Sequence, residues 1–153
     1  MVMESFGSFF ENRVLIVAMV AWLTAQVGKV AVILVRDKQL RVRRLIGAGG
    51  MPSSHSAFTA ALTIGIGLTE GFDAPVFALA AAFALVVMYD AAGVRQAAGQ
   101  HARIINQIRD LLEDVIEKGQ PPDEKRLKEL IGHTPVEVIV GAALGIALAY
   151  VFI

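Results

Sequence analysis

The pattern of apolar and polar positions along the chain predicts four long apolar helices. Apolar residues run almost without interruption through four segments, at about residues 14–35, 56–69, 74–89 and 136–153. A helix needs about 20 residues to cross a bilayer core of about 30 Å. Only the first segment reaches that length between its terminal charges, so the polar end residues of the others must lie inside the protein or at headgroup level. The pattern therefore predicts an all-α integral membrane bundle of about four transmembrane helices.

The long segment between the third and fourth apolar stretches has an amphipathic pattern instead. Apolar residues recur at helical spacing at positions 104, 105, 108, 111, 112, 115 and 116, with charged residues opposite them. We therefore expect residues 94–132 to form an insertion at one membrane surface that contains an amphipathic helix, followed by a short helix at about 123–131. The amphipathic helix has three compatible positions: on the membrane surface, over a functional site, or paired with a second copy in a homodimer.

Charges in the connecting segments predict the orientation in the membrane. The loop after the first segment is strongly basic, which favours the cytoplasmic side, whereas the turn at 70–73 has no Lys or Arg and is expected outside. The insertion at 94–132 then lies on the cytoplasmic side of the cell (inner) membrane, and both termini lie on its outer side. The first segment lacks a basic region before it and a cleavage site, so it reads as a retained transmembrane helix. The charged residues of the basic loop are Arg36, Asp37, Lys38, Arg41, Arg43 and Arg44.

Composition supports the membrane class and excludes other classes. The chain has 153 residues, of which 56% are hydrophobic and 18% charged, and this length suits a single domain over 1–153. Its formal net charge is zero, so no overall charge favours nucleic acid as a partner. Cysteine is absent, which excludes disulfides and thiol chemistry.

The unusual polar residues all fall where the four predicted helices meet one membrane face. On the predicted topology this is the cytoplasmic face, and random placement would have put some of them at the other. This convergence is a stronger signal than any single motif. The residues are Lys29, Arg36, Ser53, Ser54, His55, Tyr89, Asp90, Arg95, His133 and Glu137.

Part of this set is suited to binding a phosphate. The Gly- and Ser-rich stretch at 47–56 precedes the second apolar segment, and a helix N-terminus presents unpaired N–H groups and a partial positive charge to an anion. Lys29, Arg36 and Arg95 are three cations that can surround the same group. The Asp, Glu and His residues have no metal-ligand spacing, so we expect a reaction without metal or cofactor.

Two histidines supply acid–base and nucleophilic chemistry. One of His55 and His133 can attack a phosphorus atom while the other protonates the leaving oxygen. Glu137 follows His133 by one helical turn, so it can accept the second N–H of that ring and fix its tautomer.

Three blocks of this sequence together resemble the type-2 phosphatidic acid phosphatases, a superfamily that includes the vanadium-dependent haloperoxidases. More closely, the blocks at 49–57, 90–95 and 132–135 are similar to its divergent branch of small membrane proteins. The matching motifs are Lys29-x₆-Arg36, Pro52-Ser53-Ser54-His55 and His133-x₃-Glu137.

The resemblance implies a role for each motif residue. His133 would be the nucleophile that forms a phosphohistidine, Glu137 would orient it, and His55 would be the general acid. The phosphate would be held by Lys29, Arg36 and the amides of Ser53 and Ser54.

The sequence also departs from the superfamily pattern, and a rival nucleophile follows from this. Leu127 stands where the motif has an arginine, so Arg95 is expected to supply the guanidinium from another helix, with Asp90 and Tyr89 as supporting residues. The spacing Arg95-x₅-His101 makes His101 an alternative to His133, although Ile105 stands where its carboxylate partner should be.

The sequence thus predicts a membrane lipid phosphate phosphatase acting on a phosphomonoester or diphosphate. Phosphatidylglycerol phosphate and a polyprenyl phosphate are examples of substrates that fit, and the choice between them stays open. The alternative is a non-catalytic bundle that binds anionic lipid headgroups or partner membrane proteins. That alternative explains the cations equally well, but it leaves the two helix-end histidines without a role.

Overall fold

In the computed structural model, the described residues are 11–37, 50–115, 127 and 131–153, and their regular structure is entirely helical. The all-α prediction is therefore confirmed. The basic residues 38–44, the side chain of Arg36 and most of the short helix expected at 123–131 lie outside this description. The helices are α1 (Arg13–Asp37), α2 (Ser54–Glu70), α3 (Pro75–Ala92), α4 (Val94–Val115) and α5 (Pro135–Phe152).

The helices form a membrane bundle. Three runs are long and apolar enough to cross a bilayer: Arg13–Val35 in α1, Pro75–Leu112, which begins with α3, and Pro135–Phe152 in α5. The fourth apolar helix, α2, has 17 residues and so stands at the short end of the range for a span. It packs against α1, α3 and α5, which makes the shortest apolar helix the centre of the bundle.

Small side chains allow α1 and α2 to approach closely. Ala18, Ala21 and Ala25 recur along one face of α1 and meet Ala57 and Ala61 of α2, and all five are fully buried. Lipid tails are as apolar as the side chains, so the hydrophobic effect does not drive membrane helices together. Close van der Waals contact of this kind holds them together instead. Larger side chains cover this alanine seam: Phe58, Leu62, Leu144 and Leu148.

The crossing of α2 and α5 depends on two glycines of α5. A Cβ at Gly141 would meet the backbone of Ser53, and one at Gly145 would meet the backbone of Ala57. The Gly-x-x-x-Gly spacing therefore puts the two backbones in direct contact, as expected for close helix packing in a membrane.

The two ends of the bundle are defined by contacts between helix termini. At one end the Ser53 amide donates to the Glu137 carbonyl at 3.0 Å, and the His133 amide donates to the Ala91 carbonyl at 2.9 Å. At the other end the Arg13 guanidinium donates to the Phe152 carbonyl at 3.0 Å. The starts of α2 and α5 and the end of α3 therefore share one end, opposite the start of α1 and the end of α5.

The helix α4 leaves this bundle. It follows α3 after the single residue Gly93, and among the described helices it packs against α3 alone. Its buried Asn106 forms two hydrogen bonds with the backbone of Leu127, donating to its carbonyl at 3.0 Å and accepting from its amide at 3.2 Å. Leu127 is thereby fixed to one side of α4.

Candidate phosphate site at the end of the bundle

The N-terminus of α2 is held by two buried serine hydroxyls. The Ser53 hydroxyl accepts from the Ser56 amide at 3.4 Å and from the Ser56 hydroxyl at 2.9 Å, which makes Ser53 the N-cap of the helix. The Ser53 amide is already bonded to the Glu137 carbonyl. In this arrangement that N–H joins α2 to α5, and phosphate binding by the Ser53 amide stays a prediction from the sequence.

Lys29 reaches this helix start from the interior of α1. Only 3% of the residue is exposed, and its Nζ donates to the Ser54 hydroxyl at 3.2 Å, which is also buried. A lysine that only reached for the headgroups would expose its ammonium group. A charged group buried at this depth is costly, which marks it as a functional candidate. Its charge is within electrostatic reach of His55, His133 and Glu137.

His133 is oriented by the first turn of α5. Its Nδ1 lies 3.0 Å from Glu137 Oε2, and the same oxygen accepts from the Thr134 amide at 3.1 Å. The Thr134 hydroxyl in turn accepts from the Glu137 amide at 3.4 Å, which completes a capping box. A carboxylate can only accept, so Nδ1 carries the proton and Nε2 of the neutral ring carries the lone pair.

The second ring nitrogen of His133 is the one buried side-chain nitrogen or oxygen without a hydrogen-bond partner among the described residues. The residue is 2% exposed. Burial lowers the pKa of His133 and the nearby Lys29 charge acts in the same direction, whereas the Glu137 carboxylate and the backbone of Gly50 raise it. The net effect is a lower pKa, which favours the neutral imidazole with a nucleophilic Nε2.

The structure brings the two histidines of the sequence motifs together. The ring centroids of His55 and His133 are 6.4 Å apart, with the planes inclined at 62°. His55 is exposed in the first turn of α2, whereas His133 is buried beside it. An exposed imidazole next to a buried one can exchange protons with water, as a general acid must.

Of the other predicted residues, two lie beside the site and two lie away from it. Arg95 forms an ion pair with Asp90 at 2.6 Å on the exposed side of the site, and its charge reaches His55. Tyr89 is 78% exposed, so the structure does not bring this predicted supporting residue into the site. His101 is exposed on α4, and no hydrogen bond or ring contact joins it to His55 or His133 in the described part of the chain.

The sequence matches the Divergent PAP2 family over residues 10–148. The chain belongs to this family. It is 38% identical over 147 residues to the uncharacterized membrane protein YuiD of Bacillus subtilis (strain 168), and the match covers 92% of this chain and 93% of that protein. No solved structure matches the chain. The family resemblance predicted from the three motif blocks is therefore confirmed.

Two features of this Divergent PAP2 site were missed in the sequence. The Thr134-x-x-Glu137 spacing is a capping-box signature, so the double role of Glu137 could have been predicted. Gly132 has φ +95°, and a Cβ there would meet the backbone of Arg95 and Gln96. The loop before His133 therefore passes directly against the start of α4, and only glycine fits that contact without strain.

Proposed function

We propose that this Divergent PAP2 membrane protein is a lipid phosphate phosphatase that works through a phosphohistidine intermediate, without a metal ion. The observation that supports this most directly is His133 itself. Its Nδ1 is fixed by Glu137, its Nε2 is buried without a partner among the described residues, and a second imidazole lies beside it. A side chain that served only the helix packing would have no need of a fixed tautomer and an unused lone pair.

The proposed reaction has two steps. Nε2 of His133 attacks the phosphorus while the bond to the leaving oxygen breaks, and protonated His55 gives its proton to that oxygen, which releases the lipid alcohol. His55, now neutral, then takes a proton from water as this water attacks the phosphohistidine. The P–N bond breaks, phosphate leaves, and both imidazoles return to their starting states. Glu137 stabilises the positive charge that develops on His133 in each step.

Phosphate binding is assigned to groups around the N-terminus of α2. Lys29 and the Ser54 hydroxyl form the buried side of the proposed pocket, and Arg95 forms the exposed side. Arg95 exchanges Asp90 for the phosphate when substrate binds, because a dianionic phosphate offers a guanidinium more charge than one carboxylate. Arg36 stays a prediction from the sequence, since its side chain lies outside the described residues.

The surroundings of this site fit a substrate that carries a lipid tail. The polar residues lie at the end of a bundle whose outer surface is apolar. We infer that this end stands at the level where a phosphorylated headgroup meets the bilayer. Lipid monophosphates and diphosphates, such as phosphatidylglycerol phosphate or a polyprenyl phosphate, place phosphorus at this level. The basic residues 36–44 favour the cytoplasmic side of the inner membrane for the site and the outer side for both termini.

The test is phosphate release by the purified protein in proteoliposomes from a panel of lipid phosphates. His133→Asn is expected to reduce release to background, and His101→Asn, on the exposed side of α4, is expected to retain it. Brief reaction with a ³²P-labelled lipid substrate should leave an acid-labile label on the wild type and on no His133 variant. Release that persists in His133→Asn would eliminate this residue as the nucleophile.

A second candidate follows from the buried Lys29. A non-catalytic bundle that binds anionic lipid headgroups would use the same ammonium group and would need no reactive Nε2. Such a protein would bind a lipid phosphate without releasing phosphate, and His133→Asn would not change that affinity. Inhibition of turnover by vanadate would favour the enzyme, since vanadate resembles the pentacoordinate phosphoryl state.

A further inference from the structure

The apolar side of α4 is turned away from the other residues that the structure describes. Its large aliphatic side chains are between 51% and 65% exposed, and they recur at helical spacing along one face. His101 shares this outward face, because it precedes Ile104 by three residues. The stripe is formed by Ile104, Ile105, Ile108, Leu111 and Leu112.

The opposite side of α4 is the side that the protein buries. Gly99, Ala102 and Asn106 are buried there, and Asn106 holds Leu127 through both of its amide atoms. A helix in water would do the reverse, with its aliphatic residues inward and its polar residues outward. The apolar stripe therefore needs a cover that does not come from the described part of this chain.

We propose that α4 lies on the membrane surface with this stripe inserted into the leaflet next to the site. Continuity of the chain supports this placement. After the single residue Gly93, α4 follows a helix that is long and apolar enough to cross the bilayer, and it contacts none of the other described helices. Leu85 and Val86 of α3 are exposed on the preceding helix, so an exposed apolar surface precedes the stripe on the same continuous stretch of chain. An amphipathic helix in this position buries its apolar face about 5–10 Å into the boundary between headgroups and acyl chains.

A second copy of the chain fits the stripe less well than lipid. The stripe includes Ile105 and Leu112 beside the row of Ile104, Ile108 and Leu111, which makes it wider than the narrow seam of a two-stranded coiled coil. Five half-exposed aliphatic side chains also offer less than the about 800 Å² that each partner contributes to a standard protein–protein interface.

This placement connects the membrane surface to the candidate site. The first turn of α4 carries Arg95, and its backbone touches Gly132 next to His133. If α4 is held at the headgroup level, both of these elements are held there as well.

The absence of cysteine makes a direct test possible, since one introduced cysteine gives a single labelling site. Ile108→Cys and Ile105→Cys probe the stripe, and Gln107→Cys, exposed outside it, is the matched control. Each variant carries an environment-sensitive fluorophore in proteoliposomes that contain lipids with a quencher at the upper acyl chain. If the stripe lies about 5–10 Å deep, we expect at least about twofold stronger quenching at both stripe positions than at Gln107.

Three results would overturn the proposal, and none of them depends on enzymatic activity. Equally weak quenching at all three positions would show that lipid does not cover the stripe. Efficient disulfide cross-linking of unlabelled Ile108→Cys between copies, retained when the protein is diluted in excess lipid, would assign the stripe to a homodimer. Stronger quenching at only one of the two stripe positions would also contradict a helix lying along the surface.

Discussion

Glu137 is predicted to act on His133 through its charge as well as through its position in the helix. The substitution Glu137→Gln separates these roles. One carboxylate oxygen accepts from both His133 Nδ1 and the Thr134 amide, and a glutamine carbonyl oxygen has two lone pairs that can accept the same two bonds. Glu137→Gln should therefore preserve the capping box and the tautomer of His133 while it removes the negative charge.

The size of the effect follows from the strength of these hydrogen bonds. A hydrogen bond to a charged group contributes about 1.5–3 kcal/mol, and one between neutral groups about 0.5–1.5 kcal/mol. The difference of about 1–1.5 kcal/mol applies to a His133 ring that becomes positive in the transition state, so Glu137→Gln should slow phosphate release about tenfold. Glu137→Ala also removes the carboxylate that accepts from the Thr134 amide, so it loses one of the two hydrogen bonds of the capping box.

The pH profile distinguishes a positioning role from a purely structural one. Glu137 raises the pKa of His133 against the effect of burial, so its removal should lower that pKa further. The acid limb of the activity profile, below which His133 is protonated, should then move to lower pH in Glu137→Gln. Glu70→Gln, at the opposite end of α2, is the matched control. If Glu137→Gln keeps both the wild-type rate and the wild-type acid limb, Glu137 is only a helix cap.

Three further predictions concern stability and anion binding. Burial lowers the pKa of His133 in the folded state, so the unfolded chain binds the proton first as pH falls below about 6.5. The free energy of unfolding should therefore decrease below that pH. In His133→Asn this pH dependence should be weaker. Gly145→Val overpacks the crossing of α2 and α5 and should lower the free energy of unfolding by about 1–3 kcal/mol. Thermal unfolding in detergent measures this effect, and Ala143→Val, on the exposed side of α5, is the matched control. Vanadate at ten times its Kd should stabilise the wild type by about 1.4 kcal/mol and Lys29→Met much less, with exposed Thr24→Met as the control.

The helices could be predicted from sequence because each apolar run has one simple cause. Positions that face lipid and positions where helices pack against each other both require apolar side chains. The segments predicted at 56–69 and 136–153 therefore agree closely with Ser54–Glu70 and Pro135–Phe152. Which helix lies at the centre was not predictable in this way. The alanines and glycines of α2 and α5 indicate close packing, but only the three-dimensional contacts show that α2 is surrounded.

The candidate site was predicted in part for a similar reason. Motif spacing identified His55, His133 and Glu137, whose side chains the fold brings together. It could not show that the Ser53 amide is used within the bundle or that Tyr89 faces outward, because both depend on the rotation of a helix about its axis. That α4 exposes its apolar face and buries the opposite one was unpredictable for the same reason. An amphipathic pattern identifies the two faces of a helix, but it does not show what each face contacts.

The geometry of the candidate site is set by the contact between two helix starts rather than by a loop. The Glu137 carboxylate caps α5 and orients His133, while the carbonyl of the same residue accepts the amide of Ser53, the N-cap of α2. Formation of α5, placement of the imidazole and docking of α2 are therefore one coupled arrangement. Gly141 lies directly against Ser53, so the distance between the two helix starts depends on the absence of a side chain there. A methyl group at this position would separate Ser53 from Glu137 and displace His133 relative to Lys29, although it is remote from the reacting atoms.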